Sequence, residues 1–308
     1  MSDRFLVTGA NGCIGAWVVK LLRAEGIDVV AFDLGTDEHR HRLINAGEIP
    51  DADWVYGDLT VQSDVISAAE GVSHIVHLAA LQIPFCRANP AAGAAVNVTG
   101  TVNVFEAAKQ HGVTHIAQAS SIAVFGRSSD YPDRILPADA PRLPITLYGV
   151  YKVATEDLAK VFWAEYGIRS VALRPHTVFG PGRDQGMTSL PSVAIEHAVA
   201  REPFHIAFGG SLDFQYAPDV AAAFIHAARA DLDGAPTFNI AGHSTTVAEF
   251  VQVIQDVTGF DQITHGSDLL PMVEGADATD WFARAGGPTP TPLRTAIEAS
   301  ASAFAAAN

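Results

Sequence analysis

Apolar and polar positions along this chain alternate between two rhythms. Short β-branched runs bounded by turn residues predict strands near 4–8, 28–33, 53–57, 73–78, 114–119 and 169–174. Apolar positions at helical spacing predict helices between them, near 12–25, 38–46, 62–70, 91–111 and 146–166. Such alternation predicts an α/β fold, a doubly wound parallel sheet with helices on both faces and right-handed crossovers. Ligands of such sheets bind beyond the carboxyl ends of the strands. Gly9, Asp33, Asp58, Ala79, Ser121 and Pro175 all fall at such ends.

The rhythm changes after Pro175. A glycine-rich loop covers 178–188, a helix is expected at about 189–201 and a short strand near Phe204–Ile206. A strand at 213–217 leads to a helix capped by Asp219 that runs to about 230. A strand at 237–241 and an amphipathic helix at 246–258 follow. Pro288, Pro290 and Pro292 stiffen a loop before an Ala-rich, helix-prone end. Residues about 177–212 and 260–308 are expected to form a smaller C-terminal lobe. Residues 1–176 and about 213–259 would then form the main domain.

The first strand runs into Thr8-Gly9-Ala10-Asn11-Gly12-Cys13-Ile14-Gly15. Gly9 allows a sharp turn, Gly12 lets the backbone approach a pyrophosphate, and Gly15 lets the helix pack closely on the strand. The helix start then offers unpaired N–H groups to phosphates. The spacing differs from the commonest dinucleotide fingerprint, and a bare glycine triplet would read as a structural turn. Between a strand and a helix it reads as a dinucleotide site of Rossmann type, which makes the main domain dinucleotide-binding. Asp33 ends the second strand, 18 residues after Gly15 (33 − 15). A carboxylate there accepts from the ribose hydroxyls and repels a 2′-phosphate, favouring NAD over NADP. Arg40 and Arg42 stand nearby and could offset that preference. Asp58 could meet the adenine, or be an ordinary turn residue.

Tyr148 and Lys152 stand four residues apart on a predicted helix, so they share a face. A phenol has a free pKa near ~10. A neighbouring ammonium group stabilises the phenolate, making the pair a candidate general acid/base. Adjacent Tyr151 points about 100° away.

Seven motifs in order carry a resemblance to the extended short-chain dehydrogenases/reductases, the NAD-dependent epimerase/dehydratase family. They are Thr8–Gly15, Gly57-Asp58-Leu59, His77-Leu78-Ala79-Ala80, Asn97–Thr101, Ala119–Gly126, Tyr148 with Lys152, and Leu173-Arg174-Pro175. The resemblance runs from about residue 4 to about 260. It implies that Ser121 hydrogen-bonds the reacting oxygen, that Tyr148 moves the proton, and that Lys152 lowers the Tyr148 pKa and holds the nicotinamide ribose. Ser120 would support the strand end. Cofactor contacts are implied at Gly9, Asn11, Gly12, Cys13, Ile14, Gly15, Asp33, Asp58, Leu59, Leu78, Ala79, Ala80, Asn97, Tyr148, Lys152 and Pro175. Ser121, His176 and Arg183 are the candidates for the substrate, His176 reading equally as a packed histidine and Arg183 as a surface loop charge.

Ile122 and Ala123 stand where family dehydratases carry an acidic pair and decarboxylases a Glu, which excludes both reactions. Leu212-Asp213-Phe214 replaces the Arg-Asp-Phe of nucleotide-sugar members, whose arginine meets the substrate diphosphate. An apolar Leu cannot do that. Arg183, Arg87 or Arg284 could substitute, Arg183 being the best placed. The expected activity is therefore NAD-dependent oxidation of a secondary alcohol in a small polar substrate such as a sugar or sugar acid. The alternative is a nucleotide-sugar epimerase that keeps its NAD. A regulator that senses NAD without turnover ranks below both, because such proteins usually lack the Tyr/Lys pair.

Composition agrees. The 308 residues are 48% hydrophobic, carry a formal net charge of −15 and contain two cysteines and 12 histidines. The acidic balance argues against nucleic acid. No apolar run is long enough to span a bilayer, and no signal peptide is evident. Cys13 lies in the cofactor turn, so a structural disulfide is not expected and a reducing cytoplasm fits. His74 and His77 face opposite sides of a strand, and His39 and His41 are expected in solvent, so no metal site is expected. The apolar helices 91–111 and 146–166 suit a family-type homodimer.

Overall fold

The structure is a computed structural model that describes residues 3–307. Its centre is a seven-stranded, wholly parallel sheet. From one edge the order is Thr237–Asn239, Ser170–Arg174, Ile116–Ala119, His74–His77, Arg4–Thr8, Asp28–Asp33 and Asp53–Tyr56. The chain winds outward in both directions from the first strand. The crevice therefore opens between the ends of Arg4–Thr8 and His74–His77, where ligands of such sheets bind. The first strand is central, with Phe5, Leu6 and Val7 fully buried.

Helices cover both faces. Cys13–Ala24 and Ala217–Arg229 close one face through Trp17, Val18, Leu22, Val220 and Phe224. Gln62–Ala68, Gly100–His111 and Leu147–Tyr166 close the other, where Phe105 stacks on Phe162 at 4.9 Å. Among the described residues no helix is long and apolar enough to cross a membrane.

The helix expected over 91–111 is interrupted. Asn89 caps Pro90–Ala94, a wider π-turn occupies Ala95–Thr99, and Gly100–His111 continues to Gly112. The π-turn adds a residue to one turn, which turns Asn97 inward to bond Leu81. The helix Leu147–Tyr166 is regular. Thr146 caps it by accepting from Gly149 N at 3.0 Å, and Gly167 ends it with φ +68°.

The smaller lobe is larger than its sequence boundary. Residues 213–216 and 247–258, expected in the main domain, pack into the lobe. Ser211–Tyr216 pairs with Thr177–Phe179 and His243–Thr246, and Val247–Thr258 lays Phe250 and Ile254 against Phe179 and Phe214. The strand Thr237–Asn239 and the helix Ala217–Arg229 return to the main sheet, and Trp281 of the helix Thr279–Ala285 packs against Phe238 there. Asp219 does not cap that helix; its carboxylate accepts from the Thr291 amide and hydroxyl in the proline-rich loop.

A buried charge cluster fastens the helix Leu147–Tyr166 to the sheet. Glu156, 1% exposed, takes two hydrogen bonds from Arg174 at 2.7 Å, one from Ser120 at 2.5 Å and one from Arg142 at 3.3 Å. Removing one partner of a buried pair strands the other charge and costs about 3–5 kcal/mol. Glu156→Ala should therefore lower the urea midpoint substantially. An unchanged midpoint would show that Arg174 finds other company.

Candidate active site

The glycine turn has the shape of a phosphate cradle. Gly9 has φ +72°, and a Cβ there would lie 2.8 Å from Ala79 N, so only glycine permits this approach of the first and fourth strand ends. No side chain caps the helix Cys13–Ala24, whose first N–H groups stay available to an anion. Asp33 accepts from Asn11 N at 2.9 Å and Gly35 N at 3.0 Å, placing its carboxylate beside the turn. The buried Asn11 Oδ1 has no partner among the described residues. These features fit a dinucleotide. Arg40 is engaged by Asp184 and by Asn11 O, and Arg42 by Glu38 and Gly47 O. Neither arginine is free to meet a 2′-phosphate, which agrees with NAD.

Behind the turn, Thr8 Oγ1 contacts His77 Nδ1 at 2.7 Å, and His77 Nε2 contacts Thr101 Oγ1 at 3.0 Å. Thr101 donates to Asn97 O, so it accepts from His77 Nε2–H, and Thr8 donates to Nδ1. This order requires a neutral imidazole. Burial, helped by the Lys152 charge, pushes the His77 pKa down to about 3. Thr8 Oγ1 also accepts from Leu78 N and Ala79 N. Asn97 holds Leu81 N and O with its amide. Asn97, expected at the cofactor, is thus occupied in shaping the loop from Leu78 to Leu81.

Ser121, Tyr148 and Lys152 meet at the ends of the strands Ile116–Ala119 and Ser170–Arg174. Ser121 opens the turn Ile122–Val124 and accepts from Ala123 N at 3.2 Å, which leaves its O–H to donate. Ser120 N bonds Leu173 O, and Ile122 N bonds Pro175 O. Gly149 lets the helix start dock here, since a Cβ would lie 2.1 Å from Ala123 O. Lys152 is 5% exposed, donates to Ala119 O at 2.5 Å and lies 5.6 Å from the Tyr148 ring centroid. Burial lowers its pKa from 10.5 to about 8. Tyr151 faces elsewhere and donates to Pro90 O.

Burial raises the Tyr148 pKa; the Ser121 hydroxyl and then the Arg183 charge oppose it. His176, expected at the substrate, is a packed histidine, 8% exposed. Its ring contacts Thr177 Oγ1 and donates to Val273 O, and burial lowers its pKa to about 4. One oxygen of Asp58 accepts from the Thr60 amide and hydroxyl. His41 is fully buried against Ala10 O and Trp54, not solvated as expected. Among the described residues no three His, Cys, Asp or Glu groups could hold a metal ion.

Sequence reasoning passed over Glu156, although it continues the helix face of Tyr148 and Lys152 at four-residue spacing. It also passed over the cluster of His39, Arg40 and Asp184, whose members are up to 145 residues apart.

Comparison with known proteins supplies the remaining evidence. The profile of the NAD dependent epimerase/dehydratase family matches residues 5–241. UDP-glucose 4-epimerase of Mycolicibacterium smegmatis is 33% identical over 268 residues, 83% of each chain. The structure of MoeE5 in complex with UDP-glucose and NAD superposes with a TM-score of 0.80 at 29% identity, covering 98% of both chains. A UDP-N-acetylglucosamine 4-epimerase from Methanobrevibacter ruminantium M1, in complex with UDP-N-acetylmuramic acid, gives 0.86 at 25% identity over 99% of both.

Lys152 yields a test of the site's electrostatics. Its folded pKa of about 8 lies below its unfolded value, so between about 8 and 10.5 the unfolded chain binds more protons and stability rises with pH. Below about 8 the full penalty for burying the charge applies. Lys152→Met should therefore raise the melting temperature of the cofactor-free protein at pH 7, by an energy on the order of 1 kcal/mol, and the gain should shrink by pH 10. A variant that melts lower than the parent at both pH values would refute this.

Proposed function

The chain belongs to the NAD-dependent epimerase/dehydratase family, the extended short-chain dehydrogenases/reductases, and from that premise we propose that it is a nucleotide-sugar epimerase working through Ser121, Tyr148 and Lys152. The observation that carries this reading is the 33% identity to a UDP-glucose 4-epimerase over most of both chains. NAD is the cofactor, and when bound it would supply the hydride acceptor and donor. Gly9, Gly12, the first turn of Cys13–Ala24, Asp33 and Lys152 would hold it. Ser121 Oγ would donate to the reacting substrate oxygen. Tyr148 would remove the proton from that hydroxyl and later give it back. Burial raises the phenol's pKa while Ser121 and Arg183 favour the phenolate, so activity should rise with pH on the acid side.

A second reading keeps the same residues and ends at oxidation of a secondary alcohol in a smaller polar compound. Leu212 favours it. The side chain at the position of the family's diphosphate-binding arginine is apolar, 3% exposed and packed in the lobe core. Incubation with a panel of UDP-sugars and free sugar acids separates the readings. An epimerase interconverts sugar isomers without net NADH, and a dehydrogenase accumulates NADH absorbance. In either case Tyr148→Phe should reduce turnover by about 10²–10⁴ while leaving bound NAD unchanged. Full activity in that variant would remove Tyr148 from the mechanism.

A homodimer accompanies this reading. Leu147, Val150 and Val161 expose 42%, 45% and 50% of their surface on the outer side of the helix Leu147–Tyr166, an apolar strip suited to a second copy. Light scattering should give twice the chain mass, and Val150→Glu with Val161→Glu should give a monomer.

A further inference from the structure

The loop Gly180–Gly186 crosses the mouth of the cofactor crevice and is fastened on both sides. On the adenosine side, Trp17 Nε1 donates to Pro181 O at 2.9 Å. Asp184 accepts from Arg40 through Nη2 at 2.6 Å and Nε at 3.1 Å, and it contacts His39 Nε2 at 2.6 Å. Arg40 in turn donates to Asn11 O, inside the glycine turn, at 2.9 Å. On the other side Gly186 abuts the Gln82 side chain, just beyond the loop held by Asn97. A lone surface ion pair would contribute little. This one is forked, its arginine is only 13% exposed, and that arginine is anchored on the turn it spans.

Arg183 comes immediately before Asp184. Its Nη2 donates to Thr188 Oγ1 at 3.1 Å, and its buried Nε has no partner among the described residues. Its charge is felt both at Cys13, in the first turn of the phosphate-cradling helix, and at the Tyr148 phenol. Its loop reaches Trp17 of the phosphate-cradling helix through Pro181 and Gln82 through Gly186, so this cation stands where the middle of a dinucleotide would pass, between its adenosine and nicotinamide halves. The geometry points to Gly180–Gly186 as a clasp over the cofactor: Asp184, gripped by Arg40 and His39, holds it shut and sets Arg183 on the NAD pyrophosphate. Arg183 is then a cofactor ligand, not the substrate ligand expected from sequence. The clasp favours retention of NAD between turnovers, and in that respect it rests on the epimerase reading.

The test uses the full chain loaded with NAD, desalted and chased with excess ADP, with released NAD measured over time. Asp184→Asn, at an exposed position, should release NAD at least about tenfold faster than the parent, the effect of one charged contact. Arg183→Gln should weaken NAD and ADP to a similar degree and leave adenosine binding unchanged. Arg183→Lys, which keeps the charge without the fork, should fall between. Thermal melts establish that each variant is folded. Release at the parental rate from Asp184→Asn would overturn the clasp. Parental ADP affinity in Arg183→Gln, with loss only toward substrate, would return Arg183 to the substrate. If the parent accumulates NADH while the variants still leak NAD, the epimerase reading fails and the clasp stands.

Discussion

The carboxylate of Glu156 is the contact on which the site depends. It lies one turn beyond Lys152 on the same helix face and gathers Ser120, Arg174 and Arg142 around it. Ser120 precedes Ser121, and Arg174 precedes Pro175, whose carbonyl receives Ile122 N. One buried anion thus fixes the helix carrying Tyr148 and Lys152 relative to the strand end carrying Ser121. Hydrophobic burial alone would allow the helix to slide by fractions of an ångström. Four directed hydrogen bonds to a charge do not.

The second constraint is backbone proximity. Gly9 against Ala79 and Gly149 against Ala123 bring main chains closer than any side chain would allow. The first contact shapes the crevice at the switch point of the sheet. The second brings the start of the catalytic helix onto the turn after Ser121. With the site so compact, burial governs its electrostatics. It lowers the Lys152 and His77 pKa values and raises that of Tyr148, so the proton on the phenol depends on hydroxyl and guanidinium neighbours.

Much of this was legible in the sequence. Strand and helix alternation is a local pattern, and the parallel order follows from it with few choices. The positions of Gly9, Asp33, Ser121, Tyr148 and Lys152, at strand ends or on one helix face, follow from local sequence. What escaped was non-local. The lobe boundary depends on Phe214 and Phe250 meeting across 36 residues (250 − 214). His176 and His41 looked available because nothing nearby in sequence shows the Val273 and Ala10 carbonyls that occupy them.

The wide turn at Ala95–Thr99 makes the molecule sensitive to length as well as to composition. A residue added to or removed from a helix rotates everything downstream by about 100°. Loss of one codon within that turn could leave a regular, well-packed helix. It would nevertheless swing Thr101 off the His77 imidazole and Asn97 off Leu81. Reading-frame-preserving indels here would decouple the cradle from the strand that supports it.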